Sequence, residues 1–156
     1  MPVVHLVHGF VASGKTTFAR QLARRENAFL LSIDEWYLDL FVDEPTHHID
    51  LAAWERLKRR LETLWIDLVR HDASVILDWG FWRRADRDNA RAMAREVRPD
   101  VRLYEVVCSE DVARRRCLDR SGQRGTFIID GSGFDEMRQR FEPLADDEQR
   151  VTIVTS

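Results

Sequence analysis

The sequence is poor in cysteine, in lysine and in long apolar runs, and it carries no excess of positive charge. Its two cysteines, Cys108 and Cys117, form no CxxC pair, so neither a zinc knuckle nor a thioredoxin-type motif is written here and reduced thiols are expected. No apolar stretch approaches the ~20 residues of a membrane helix, which excludes a helical membrane protein. A formal net charge of −3 argues against a broad basic face for duplex nucleic acid, because counterion release needs many clustered phosphate contacts; a local basic pocket stays open. The opening residues MPVVHLVHGF lack a basic leader, a long apolar core and a small-residue cleavage site. No secretory signal is therefore expected, and the cytoplasm is the expected compartment. No linker, internal repeat or low-complexity tract interrupts the 156 residues, so a single domain over 1–156 is expected.

What is present alternates. VVHLVHG, AFLLSID, ASVILDWG, VRLYEVVCS and RVTIVTS are short, nearly continuous apolar runs, the pattern of strands covered on both faces. Between them lie helix-compatible stretches. KTTFARQLARREN places Phe18 and Leu22 on one face, and the stretch from Asp50 repeats apolar residues at Trp54, Leu57, Leu61, Leu64 and Leu68, with Asp50 as its N-cap. RRADRDNARAMAREVRP reads as a charged helix ending near Pro99, EDVARRRCLDRSGQRG as a helix running into a glycine-containing loop, and FDEMRQRFEP as a short helix. Strands alternating with helices predict an α/β domain with a parallel sheet.

Only Lys15 and Lys58 among the 24 basic residues are lysine, and Lys15 stands in GFVASGKTT. Gly9, Gly14, Lys15 and Thr16 satisfy G-x-x-x-x-G-K-[ST] between a predicted strand and a predicted helix, the context a phosphate-binding P-loop requires. Glycines let backbone N–H groups curl around phosphate oxygens while the positive end of the next helix faces the anion. A compact ammonium on a flexible stem fits between β- and γ-phosphates where a planar guanidinium does not, which explains a lysine in an arginine-rich chain. The loop residues Gly9, Ala12, Ser13, Gly14, Lys15, Thr16 and Thr17 are thus expected to hold a nucleotide, with the Thr16 hydroxyl toward Mg2+ and Thr17 toward the α-phosphate.

The carboxylates suggest what is done with it. Asp34 is expected to close the second strand, at the sheet edge where the glycine loop lies, and to take the proton of an attacking hydroxyl; an N-cap for EWYLDL is the plainer reading, and Glu35 is adjacent. Asp78, after VIL on the third strand, reaches the same edge as a second Mg2+ ligand, or serves there as a capping residue. Arg114, Arg115, Arg116, Arg120 and Arg124 crowd one helix and its exit. Arg116 and Arg120 share a face and could converge on a transferring phosphoryl group, the alternative being a solvated basic face.

With HGFVASGKTTFARQLA, LSIDEW, VILDWGFW, RRRCLDR and RFEPLADDE together, the chain resembles the small P-loop kinases of the AAA_33, zeta toxin, chloramphenicol phosphotransferase and polynucleotide kinase-like group. The resemblance spans most of the chain. It implies a three-layer α/β fold of the nucleoside monophosphate kinase type, with a five-stranded parallel sheet in the order 2-3-1-4-5. It further implies ATP as donor with Mg2+, Asp34 as base, and lid arginines at Arg116 and Arg120 in a short lid at about 114–125. The shortness of that lid, with no nucleotide-monophosphate-binding insertion, departs from ordinary nucleoside monophosphate kinases.

The expected activity is transfer of the γ-phosphoryl of ATP to a hydroxyl of a small molecule, such as an antibiotic, a sugar or a nucleotide sugar. Two alternatives are a polynucleotide or nucleoside 5′-hydroxyl kinase, and a nucleotide-binding regulatory module that transfers nothing. The acceptor would meet Trp36, Tyr37, Phe41, Trp79, Phe81 and Trp82, aromatic walls that suit a small organic molecule but that equally suit core packing. Arg83, Arg84 and Arg124 are candidates for an anionic acceptor. His47, His48 and Asp50 match no metal-site spacing and read as a polar loop.

Overall fold

Val3–His8 (β1), Phe29–Ser32 (β2), Val75–Gly80 (β3), Asp100–Val107 (β4) and Val151–Val154 (β5) form one parallel sheet in the order β2-β3-β1-β4-β5, the order expected. The computed structural model describes residues 1–97 and 99–156. Because parallel neighbours cannot be joined by a tight hairpin, helices carry the connections and cover both faces. They are α1 (Lys15–Glu26), α2 (Ile33–Phe41), α3 (Leu51–Arg70), α4 (Arg84–Val97), α5 (Glu110–Arg120) and α6 (Gly131–Arg140).

Alternation along the strands sorts the core into two layers. Val4, Leu6, Leu31, Val75, Leu77 and Leu103 point to the α3/α4 side, where they meet Trp65, Val69, Ala90 and Ala94. Val7, Ile76, Tyr104 and Val106 point the other way, onto Ala19 and Leu22 of α1. The α3 stripe differs from the one the sequence suggests: the residues in full contact are Ala53, Leu57, Leu61, Trp65 and Val69, while Trp54, Leu64 and Leu68 lie on the flanks, partly buried. The apolar arc is wider than one face, and the buried i, i+4 row meets Ile33 and Tyr37 of α2 through Ala53, Leu57 and Leu61 and the sheet through Trp65 and Val69. Asp50 is the N-cap as expected, its Oδ1 accepting from Ala53 N at 3.1 Å. No helix among the described residues is long and apolar enough to cross a membrane.

Two departures position the site. The second strand stops at Ser32 and α2 begins at once, so Asp34 sits in the first turn of a helix and is neither the last strand residue nor the cap. Asp78 lies within β3, two residues before its end, in register with Ser32 of β2.

Candidate active site

The loop between β1 and α1 is held open by its own backbone and by its neighbours. Gly9 N donates to Gly80 O at 3.2 Å and Trp82 Nε1 donates to Gly9 O at 3.1 Å, fastening the loop's base to the end of β3. A Cβ on Gly9 would lie 2.7 Å from both Val106 O and Ser13 Oγ, so no other residue fits without moving the backbone of β4. Gly14 adopts φ 100°, a left-handed conformation natural to glycine, and Ala12 takes φ 59°, which costs an alanine about 1 kcal/mol. Backbone strain of this kind is retained where the surrounding structure imposes it for function.

Lys15 opens α1 and folds back over the loop, Nζ donating to Phe10 O at 2.8 Å. Thr16 Oγ1 donates to Asp78 Oδ2 at 2.8 Å, joining the helix start to β3. Asp34 faces the same space from α2. The residue as a whole is exposed, although protein atoms crowd round its carboxyl. That crowding, opposed by the Lys15 ammonium and reinforced by Asp78, raises its pKa to about 6. Desolvation likewise pulls Lys15 below its ordinary value, with Asp78 and Asp34 acting against the shift. The charge of Arg120, at the end of α5, reaches both Lys15 and Asp34. Thr16 and Asp78 are in contact, Lys15, Asp34 and Asp78 lie close enough to act on one another's charge, and Arg120 acts on the same group without touching it.

The remaining candidates make other contacts or stand exposed. Arg116 faces the outside of the loop, Nη1 donating to Ala12 O at 3.4 Å and to Thr155 Oγ1 at 3.3 Å, with Nη2 on Ser156 O. Trp36 is two residues from Asp34, about 200° round the helix, and stands partly exposed on the flank away from the cleft. Tyr37 is core, its hydroxyl accepting from Asp50 N at 2.9 Å, and Trp79 spends its indole N–H on Leu31 O at 3.1 Å. Arg83 pairs with Asp86, Arg84 with Asp88 and Asp147, at the outer end of α4. Arg124 and Thr17 are exposed. The segment after α5 is pinned across the cleft, Ile128 N donating to Thr46 O at 2.8 Å, and Phe127 packs with Tyr37 beneath it.

Four contributors, Ser32, Arg87, Glu148 and Thr155, escaped the sequence reading, and Ser13 and Phe81 take on contacts it did not foresee. Ser32 is buried beside Asp78, its Oγ without a hydrogen-bond partner among the described residues, and Ser13 Oγ in the loop is in the same state. Arg87 on α4, 1% exposed, makes a two-pronged pair with Glu148 at 2.8 and 3.0 Å and donates from Nη1 to Phe81 O at 2.8 Å. Phe81 is itself at φ 48°, and His8 Nδ1 donates to the same carbonyl at 3.0 Å; burial lowers the His8 pKa to about 4, keeping it neutral. The fourth is Thr155. No local signal marks any of them, since each acts across a long stretch of chain.

Residues 4–144 match the model of the AAA domain family AAA_33. The chain belongs to this family. No curated protein is similar enough in sequence to count as a match. Among solved structures, a provisionally assigned kinase from Chloroflexus aurantiacus superimposes with a TM-score of 0.78 at 21% identity, covering 99% of this chain and 89% of that one. A sugar kinase from Janibacter sp. gives 0.68 at 20% identity over 99% and 86% of the two chains. Kti12 of Chaetomium thermophilum, in complex with ADP-AlF3, gives 0.64 at 18% over 98% and 88%. These likenesses fix the fold as P-loop kinase-like, three layers about the sheet described above.

Proposed function

We propose that the protein is an ATP- and Mg2+-dependent phosphotransferase that moves the γ-phosphoryl group of ATP to a hydroxyl of a small molecule, an antibiotic, a sugar or a nucleotide sugar, in the cytoplasm. The observation that carries this reading is the placing of a carboxylate, Asp34 in the first turn of α2, within reach of the Lys15 ammonium at the glycine loop; its raised pKa, about 6, agrees with a base working near neutrality. The sugar kinase among the similar structures supports the same class of reaction.

The residues divide the work. Loop N–H groups and Lys15 hold the phosphates, and Asp34 accepts the proton as the acceptor oxygen bonds to phosphorus and the bond to ADP breaks. Arg120 offsets the charge on the transferring group. The Thr16–Asp78 pair, with the unpartnered Ser32 hydroxyl beside it, fits a hydrated cation. Mg2+ held there by Thr16 and Asp78 would supply charge neutralisation on the phosphate oxygens.

The test is ATP turnover against a panel of hydroxyl-bearing antibiotics, sugars and nucleosides, with product mass read for an added phosphoryl. One acceptor class is expected to gain that mass, and uniform background hydrolysis across the panel would contradict the proposal. With that acceptor, kcat/KM should be flat above pH ~7 and fall about tenfold per unit below pH 6, because the working form of Asp34 is the deprotonated one and its pKa is raised. A midpoint near pH 4 would contradict a base of raised pKa, and a profile with no acidic limb would contradict a carboxylate base altogether.

A further inference from the structure

The glycine loop contains an ambiguity that its own residues do not resolve. The peptide joining Ser13 to Gly14 carries Ser13 C=O on one side and Gly14 N–H on the other, since a trans peptide directs the two oppositely. Glycine at position 14, at φ 100°, tolerates either orientation of that plane, so the residue that permits the turn also permits a flip. Only one orientation aims the N–H into the hollow of the loop.

Just past β5, Thr155 selects it. Thr155 N donates to Val107 O at 2.8 Å, which extends the β4–β5 ladder and fixes the residue's place. Its Oγ1 then donates to Ser13 O at 2.6 Å, across 142 residues of chain. The preceding plane is held as well: Arg116 takes Ala12 O, and Ser13 N donates to Phe10 O at 3.2 Å. Arg116 Nη1 also donates to Thr155 Oγ1 at 3.3 Å, so that the hydroxyl's one hydrogen is left for Ser13 O. Packing repeats the message, for a Cβ on Gly14 would meet Thr155 Cγ2 at 3.1 Å and Oγ1 at 3.3 Å.

We propose that Thr155 is a positioning residue for the nucleotide phosphates: by holding Ser13 C=O outward against the end of β5, it turns Gly14 N–H inward to meet the phosphate oxygens without touching them itself. The inference rests on the nucleotide-binding reading of the loop. It assigns to the end of the last strand a part in the phosphate grip, and it gives Arg116 a brace's role in the same clamp.

Calorimetric titration of the full chain with MgATP and, separately, with inorganic tripolyphosphate tests it. Thr155→Val keeps the shape and removes the hydroxyl; it should weaken both ligands by a similar factor, about two- to tenfold for one hydrogen bond, and Thr155→Ser should restore wild-type affinity for both. Should the valine variant fail to fold, Thr155→Ala against Thr155→Ser makes the same comparison. Unchanged affinity in a variant lacking the hydroxyl would overturn the proposal. So would weakening of ATP with tripolyphosphate unaffected, which would place Thr155 on the base or sugar instead. A wild-type chain that binds neither ligand is a different result, and it removes the nucleotide reading itself.

Discussion

Asp34→Asn should lower phosphoryl transfer by about 10²- to 10⁴-fold, the range a positioned general base contributes, while ATP affinity stays within a few-fold of wild type. The substitution preserves size and removes the negative charge together with the ability to accept a proton. Asp34 lies on α2, opposite the glycine loop, so the phosphates keep every backbone donor and Lys15. Removing a carboxylate that acts on Lys15 leaves that ammonium freer to meet phosphate, which is why binding should hold or tighten slightly. A steady-state assay alongside nucleotide titration separates the two quantities. Loss of ATP binding together with turnover would make Asp34 part of the nucleotide site and not the base. Full turnover in the variant, or a nucleotide-dependent output on a partner that survives it, would favour a regulatory module.

Glu148→Ala should be the most destabilising single change on the surface of the fold facing α4, at about 3–5 kcal/mol, because it leaves the Arg87 guanidinium buried without its anion. For a domain of this size that is a fall of roughly 10 °C in Tm. The pair is not isolated. Glu148 also accepts from Arg91 at 2.6 Å and from Ala145 N at 2.9 Å, and Arg87 reaches Phe81 O, Trp82 O and Glu142 O. Since Trp82 and Gly80 hold Gly9, the loss should propagate to the glycine loop and weaken nucleotide binding in whatever fraction stays folded.

The same pair gives a pH signature. Burial opposes the charge on Glu148, but the hydrogen bonds from Arg87, Arg91 and Ala145 N prevail and hold its carboxyl far below the usual range. A depressed folded-state pKa contributes stability that is complete above the unfolded value, near 4.3, and is lost as pH falls further toward the folded one. Wild type should therefore lose stability below about pH 4 more steeply than Glu148→Gln, as read by denaturant midpoints across pH. Parallel curves would contradict the assignment.

Much of this molecule was legible in its sequence because the responsible signals are local. GFVASGKTT is a contiguous loop whose glycines and single lysine are each required by geometry, and VVHLVHG before it and a helical stretch after it supplied the context. The alternation of strands and helices followed from that frame, whereas the strand order 2-3-1-4-5 was implied by the resemblance to the small P-loop kinases and not by any local signal. The acceptor side was harder. Trp36, Tyr37 and Trp79 look alike as letters, yet one faces out, one packs under α3 and one is hydrogen-bonded to the adjacent strand, a distinction set by helix phase and by neighbours far along the chain. Arg87 read as one more charge on a charged helix, and Glu148 as one acid among several. Only the folded chain, bringing residues 61 positions apart into a buried pair, marks them out. Arg116 and Arg120 share a helix face in the sequence, but in the folded chain Arg116 spends its guanidinium on Ala12 O, Thr155 and Ser156, whereas the charge of Arg120 reaches Lys15 and Asp34.

Titration calorimetry of MgATP into the folded chain tests most directly whether the loop from Gly9 to Thr16 grips a triphosphate. Saturable heat at one nucleotide per chain, abolished in Lys15→Ala with the fold intact by circular dichroism, is the expected result. No heat from wild-type protein with any nucleoside triphosphate, in the presence of magnesium, would contradict the account at its root.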